Sequence, residues 1–383
     1  MGMSSIRFSN GNGYSVGRIE SIFFELLQVA IGCRTELSCV LTAEEWERLY
    51  AIVQKQAMVG IAFAGVVRLP REQLPPRNRL IQWKVYADKL ALRNKRANEL
   101  CRILYKGVVQ GGFHAMILKG QGNLSYYPSH LRLSRMPGDI DIFVYNDTKH
   151  SVRDVIEYCT ARRKGQFVYY HNLDWPVFKD IPVEVHYRPT WLFSPFRDRK
   201  LQRWFRSHRS IVEYDGYGVP TGEFNAVFQL IHLYKHVFEE GIGLRQLLDY
   251  YYVLENLDIG KSGKDSLRHT LETLGLGKFA GAVMYVMQQV FAMSEDKFLC
   301  HSCESEGKML LADILHGGNF GKYDKDRVWN LQPDSDIMTR MRYAWQKLRH
   351  NFRYLRSYPE EVLWEPPFRL YHWMWRTCRL WRF

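Results

Sequence analysis

Two aspartates two positions apart carry the strongest chemical signal in this chain. Asp139 and Asp141 lie in Arg-Met-Pro-Gly-Asp-Ile-Asp-Ile-Phe-Val, residues 135–144, an apolar run rich in β-branched side chains. In a strand, side chains at i and i+2 leave the same face, so both carboxylates project together while Ile140 and Ile142 face the other way. Carboxylates roughly 7 Å apart on one strand are unfavourable unless positive charge lies between them. A divalent cation meets that need. Mg²⁺ (or Mn²⁺) shared by such oxygens suits phosphoryl or nucleotidyl transfer. Gly138 removes side-chain bulk just before the pair, where a triphosphate must approach.

The neighbouring segments supply candidate partners. Ala115–Leu118 reads as a strand, and Lys119-Gly120 as its turn into a short helix, Asn123–Tyr127. A glycine at such a turn lets backbone N–H groups reach phosphate, and Lys119 adds charge. Arg132 and Arg135 flank the acidic strand. Arg135 either pairs with one of the two aspartates or contacts a triphosphate through its forked donors. Further on, Val183–Tyr187 reads as a strand whose Glu184 and His186 share a face. His232 and His236 are four apart on one helical face, a spacing that can ligate metal, but no Glu follows His232 as the zinc-protease pattern requires.

Taken in order, Leu-Lys-Gly (118–120), Arg-x-x-Gly-Asp-Ile-Asp-Ile-Phe-Val (135–144), Val-Glu-Val-His-Tyr (183–187) and His232-x-x-x-His236 before Gly-Ile-Gly-Leu-Arg-Gln-Leu-Leu-Asp (241–249) resemble a known family. It is the uncharacterised nucleotidyltransferase family of bacterial genomes, within the DNA polymerase β-like superfamily. The resemblance implies an α/β (α+β) fold, a mixed sheet with helices set in a mostly helical chain. It implies that Glu184 is a third carboxylate, joining Asp139 and Asp141 at the metal and able to deprotonate an acceptor hydroxyl. It places His232, His236, Arg245 and Asp249 at the nucleotide cleft, beside Lys119, Gly120, Arg135 and Gly138. Plainer readings stand next to these: a packed structural His186, and an Arg245–Asp249 surface ion pair at i, i+4. One feature departs from the superfamily. Its turn usually carries Gly-Ser, with the Ser on phosphate; here Lys119-Gly120-Gln121 stands there, and the gap to Asp139 is longer.

Composition sets the outer limits. With 383 residues, 46% of them hydrophobic, the chain has material for two or three units with real cores. No apolar run approaches the ~18–20 residues of a membrane-spanning helix, and the first residues lack the apolar stretch of a signal peptide. Seven scattered cysteines suit a reducing compartment. The expected location is therefore cytoplasmic. A net charge of +13 predicts attraction to polyanions: nucleoside triphosphates, RNA or an anionic membrane surface.

The organisation read from the pattern is an N-terminal helical region (1–110), a catalytic core (111–220), a helical domain closing the cleft (221–330) and a basic aromatic tail (331–383). Residues 1–16 are a Gly-, Ser- and Asn-rich start, and Thr42 with Glu45 forms a capping box. Helices are expected over Asn78–Gly107, Ser151–Gln166 and Met338–Arg356, a strand over Phe167–His171, and a basic connector over Trp191–His208. Pro366-Pro367 marks a break, after which Phe368–Phe383 adds tryptophans, Trp381 among them, and arginines. Basic residues interleaved with aromatics over 338–383 suit a membrane interface or single-stranded RNA, or simply pack on the body.

Two functions follow. The first is an enzyme moving an NMP from an NTP to an acceptor hydroxyl on a sugar, a tRNA, a small molecule or a protein. The second is a degenerate transferase-fold module that binds RNA, membrane or a protein partner.

Overall fold

An apolar stripe at helical spacing makes the first element, α1 (Arg18–Ile31), with Ile22, Phe23, Leu26, Leu27 and Ala30 buried. The computed structural model describes residues 16–162, 167–324 and 336–380; the start of the chain, residues 1–15, and Trp381 lie outside them. In α2 (Ala43–Lys55), Thr42 Oγ1 accepts from Glu45 N while Glu45 accepts from Thr42 N. That reciprocal cap satisfies two helix-end donors at once. The short apolar α3 (Val59–Val66) packs between α1 and α4.

α4 (Arg77–Gln110) is 34 residues, about 51 Å at 1.5 Å per residue. Its stripe of Trp83, Leu90, Asn94, Ala97, Cys101, Leu104 and Val108 is buried, while Lys84, Lys89, Arg93, Lys95, Arg96 and Lys106 remain in solvent. Asn94 is the polar exception in that stripe. Its Nδ2 donates to the carbonyls of Leu133 (2.9 Å) and Arg135 (2.6 Å), so α4 clamps the segment that leads to Asp139.

The sheet comes next. β1 (His114–Leu118) runs into a single helical turn, α5 (Lys119–Gly122), and the chain returns as β2 (Ile140–Tyr145), antiparallel to β1. After α6 (Ser151–Arg162), β3 (Asn172–Asp174) and β4 (Val183–His186) complete a sheet of order β1-β2-β4-β3, with β2 and β4 parallel. A mixed sheet in a helical chain is the expected fold class. The strand expected at Phe167–His171 is displaced. Val168 makes one bridge to Leu173, Tyr169 N donates to the Asn172 carbonyl, and pairing begins only at Asn172. The aromatic run that suggested a strand is used instead for packing, with Tyr170 edge-on to Phe368 and Trp375.

The expected connector at 191–208 is largely helix, α7 (Pro195–His208), because Pro195 occupies the first helical position, where its missing N–H costs nothing. A hairpin, β5 (Ile211–Tyr214) and β6 (Tyr217–Pro220), then leads to α8 (Gly222–Glu239) and α9 (Leu244–Glu255). Both are buried on most of their surface. α10 (Gly260–Thr273), α11 (Gly277–Phe291) and α12 (Glu304–Gly317) pack in sequence beside them, and α11 also reaches α1. One apolar cluster runs from Ile22 to Trp375.

The tail forms α13 (Ile337–Phe352) and α14 (Pro359–Thr377). α14 continues through Pro366-Pro367, against the expected break. Two prolines remove two donors to the preceding turn. Burial of Val362 and Glu365 before them and Trp375 after them holds the helix on both sides, and both rings face solvent.

Candidate metal centre

Strand register brings the acidic residues together. Leu118, Asp141, Glu184 and Asp174 form one row across β1, β2, β4 and β3. Adjacent strands lie about 4.8 Å apart, so Asp141 and Glu184 meet side by side although 43 residues separate them in the chain. Asp141 is buried, and its Oδ1 accepts from Lys119 Nζ at 2.6 Å and His186 Nε2 at 2.8 Å. Glu184 is half-buried. Its Oε2 accepts from Asn172 Nδ2 at 2.7 Å and lies 3.6 Å from His186 Nε2. One ligand atom from each of Asp141, Glu184 and His186 falls within 4.8 Å of the others. Asp139 stands outside that group, at the solvent-facing edge just before β2.

The Lys119 ammonium and the His186 ring offset the carboxylate charge here. Burial pushes the Asp141 carboxyl up, but Lys119 and His186 outweigh it and hold the group well below the usual carboxylate range. Glu184 behaves alike: burial raises it, and the bond from His186 with the charge of Lys119 brings it down. His186 is lowered by burial and raised by its two carboxylate partners, ending above an ordinary histidine. Asp139 goes the other way. The Asp141 charge and then burial push it up to about 6, against Lys119. His171 and His232 are both held well below an ordinary histidine by burial, followed by the neighbouring cations, so each is neutral.

The turn after β1 is built for close approach. Lys119 has φ 44°, a left-handed state that costs a side-chain-bearing residue free energy, and Gly120 sits at φ 20°, ψ −103°. A side chain on Gly122 would meet the Ile117 carbonyl at 2.2 Å. The backbone thus folds sharply to return Lys119 Nζ onto Asp141.

The remaining candidate residues divide into two groups. His232 lies on α8 within electrostatic reach of Lys119, His186 and His171, and stacks edge-on with His236 at 4.3 Å. Gly138 abuts Arg245, whose Nη1 is 3.6 Å from where a Cβ would stand. Arg135, by contrast, pairs with neither Asp139 nor Asp141. Its Nε and Nη2 donate to Asp249 Oδ1 (2.7 Å) and Oδ2 (2.6 Å), a buried two-pronged pair that Tyr127 Oη joins at 2.7 Å. The surface ion pair between Arg245 and Asp249 is therefore replaced: Asp249 turns inward to Arg135, and Arg245 Nη1 donates to the Met136 carbonyl at 3.2 Å. Arg132 likewise donates to the Tyr127 carbonyl. Four contributors were not singled out from sequence: Asn172, His171, Tyr127 and Asn94. Asn94 alone had a readable signal, a polar residue inside an apolar stripe.

These residues fit a divalent cation. Two carboxylates and an imidazole close enough to share one ion form a suitable donor set; oxygens favour Mg²⁺, and the imidazole extends the range to Mn²⁺. His186 Nε2 is the nitrogen that faces both carboxylates, while Nδ1 is buried without a hydrogen-bond partner among the described residues.

A mixed sheet with Asp-x-Asp at the entry to one strand and Glu-x-His on its parallel neighbour defines a nucleotidyltransferase-type core. The family model described as "Uncharacterised nucleotidyltransferase" matches residues 42–292, more than half of the chain, so the chain belongs to that family. Among solved structures, the crystal structure of an antigenic nucleotidyltransferase-like protein from Paracoccidioides brasiliensis is similar over 54% of this chain and 94% of that one, at 10% identity and a TM-score of 0.33. No curated protein sequence matches the chain.

Proposed function

We propose that this protein is a metal-dependent nucleotidyltransferase that moves an NMP from an NTP to an acceptor hydroxyl, with release of pyrophosphate. The observation that carries this reading is the row of Asp141 and Glu184 across β2 and β4, closed by Lys119 and His186. Asp141 and Glu184, with His186, would hold the ion, and Asp139 at the edge of the strand would complete the acidic set. When bound, Mg²⁺ or Mn²⁺ neutralises charge on the phosphates and orients them. The chain's own residues do the rest. Lys119 leaves Asp141 for the phosphates, and its charge is spent there in place of the serine hydroxyl common in the superfamily. Glu184, steadied by Asn172, takes the proton of the acceptor hydroxyl. His232, His236 and Arg245 wall the cleft, and Gly138 and Gly120 keep it open. In this reading residues 111–220 are the catalytic core and 221–330 the domain that closes on it.

The acceptor's class follows from one experiment. Cell lysate is incubated with Mg²⁺, the protein and each α-³²P NTP, beside an Asp139→Ala/Asp141→Ala variant. A labelled species formed only by the native protein is expected; none with any NTP sinks the reading. A second reading, a degenerate binding module, draws support from Lys119, whose ammonium lies 2.6 Å from Asp141 Oδ1.

We also place the protein at an anionic membrane surface from the cytoplasmic side, through its tail. Met338, Met341, Trp345, Leu348 and Phe352 follow 3- and 4-residue steps along α13, and all are exposed, Trp345 at 67%. Exposed Arg342 and Arg349 lie among them, and exposed Arg353 and Arg356 follow the helix. That pattern suits a helix lying in a lipid interface better than one stacking on RNA bases. No helix among the described residues is long and apolar enough to cross a membrane.

A further inference from the structure

Behind the carboxylates, α7, the end of β4 and α14 enclose an open cleft of about 320 Å³. Three arginines line it. Arg199 and Arg206 lie seven apart on α7, with Gln202 between them on the same face. Arg188 follows β4, its guanidinium 4.6 Å over the Tyr170 ring, and its Nε is buried without a hydrogen-bond partner among the described residues. None of the three forms an ion pair among the described residues. Arg197, a neighbour on the same helix, does: it pairs with Glu360.

The one carboxylate in the cleft, Asp198, offsets a single positive charge, that of Arg188. Asp198 already accepts from Leu192 N (3.2 Å), Gln202 Nε2 (3.0 Å) and Tyr170 Oη (3.2 Å). Three guanidinium groups without an ion pair among the described residues, against one carboxylate, leave the cleft net positive. Its floor is aromatic, with Phe368 edge-on to Tyr170 at 5.3 Å and Tyr371 at 6.0 Å from the same ring. Trp191 separates the cleft from the metal centre. Its ring lies 3.9 Å from His171 on one side and 6.1 Å from Phe368 on the other.

Planar, forked donors suit a phosphate, and an aromatic floor suits a flat ring. The volume lies near the lower end of ordinary ligand pockets, roughly 300–1,000 Å³. We propose that this cleft is a second anion site, for a small molecule that carries both a phosphate and a planar ring. A nucleoside monophosphate is the simplest probe. The inference rests on the arginines and aromatics alone, not on the transferase reading.

Isothermal titration of the full chain in EDTA, with AMP, GMP, adenosine and inorganic phosphate, tests it. Saturable binding of a monophosphate, tighter than adenosine or phosphate alone, is expected. Arg188→Gln and Arg206→Gln should each weaken it by about tenfold, the loss of one charge-assisted contact. Arg206 is exposed, so that variant leaves folding intact. Asp141→Asn should leave affinity unchanged. Binding that survives both arginine variants but is lost in Asp141→Asn would place the ligand at the carboxylates and overturn the proposal. Absence of saturable heat with every probe would reduce the arginines to a solvated helix face, and overturn it equally.

Discussion

Asp249→Asn tests whether Arg135 is a positioning residue or a phosphate ligand. Asp249 accepts three hydrogen bonds, two from Arg135 and one from Tyr127, and the pair's side chains are 5% and 4% exposed. The substitution keeps the shape and removes the charge, leaving a guanidinium buried without its counter-ion. Breaking a buried pair by removing one partner costs about 3–5 kcal/mol. At roughly 2 °C per kcal/mol or less for a chain of this size, the melting temperature should fall by about 5–10 °C. Arg135→Met with Asp249→Leu removes both charges, and should recover part of that loss, because the apolar pair carries no desolvation cost although Tyr127 Oη loses its acceptor. Arg135 Nη1 also donates to the Met136 carbonyl, which Arg245 shares, so the loss loosens the approach to Gly138 and Asp139. Denaturant unfolding of both single variants and the double variant gives the coupling. An Asp249→Asn protein of native stability that loses only nucleotide affinity would refute the argument and return Arg135 to the phosphates.

The metal centre yields the next expectation. Asp141→Asn should abolish Mn²⁺ binding measured by electron paramagnetic resonance, whereas Lys119→Met, which frees an Asp141 oxygen, should tighten it about tenfold or more while lowering transfer. Glu361 offers a pH test. It accepts from Phe193 N, and burial, opposed by Lys235, pushes its carboxyl up to about 7. A folded value above the unfolded one, about 4.3, means its stabilising contribution is full below that value and lost as pH rises through about 7. Glu361→Gln should therefore gain on the native protein between pH 5 and 8, by on the order of 2 kcal/mol; equal pH profiles would show that the carboxyl is not perturbed. For the tail, Trp345→Glu with Met341→Glu should abolish co-flotation with phosphatidylglycerol vesicles without changing the melting temperature, since both side chains are exposed. Flotation unaffected by the pair removes α13 from the interface.

Local chemistry explains what could be read directly from sequence. Reciprocal capping by Thr42 and Glu45, strand alternation through Ile140–Tyr145 and the shared face of Glu184 and His186 each depend on residues a few positions apart. Partnership across the chain does not leave such a trace. Arg135 had two acidic neighbours within six residues, and either was a reasonable partner by proximity. What decided the pairing was α9, packed behind the turn, which presents Asp249 to a guanidinium that the fold has taken out of water. The prolines in α14 make the same point about context. A Pro-Pro pair stops an isolated helix, yet here aromatic packing on Tyr170 and burial of Trp375 outweigh two lost hydrogen bonds. Packing likewise moved the tail's aromatics into two populations that composition could not separate. Phe368 and Trp375 face inward to build the arginine-lined cleft and the aromatic layer behind the metal centre, while Trp345 and Trp373 face outward. The tail that is basic and aromatic in sequence is thus part core and part surface. The outward face of α13 is what a membrane can meet, while Phe368 and Tyr371 of α14 shape the arginine-lined cleft.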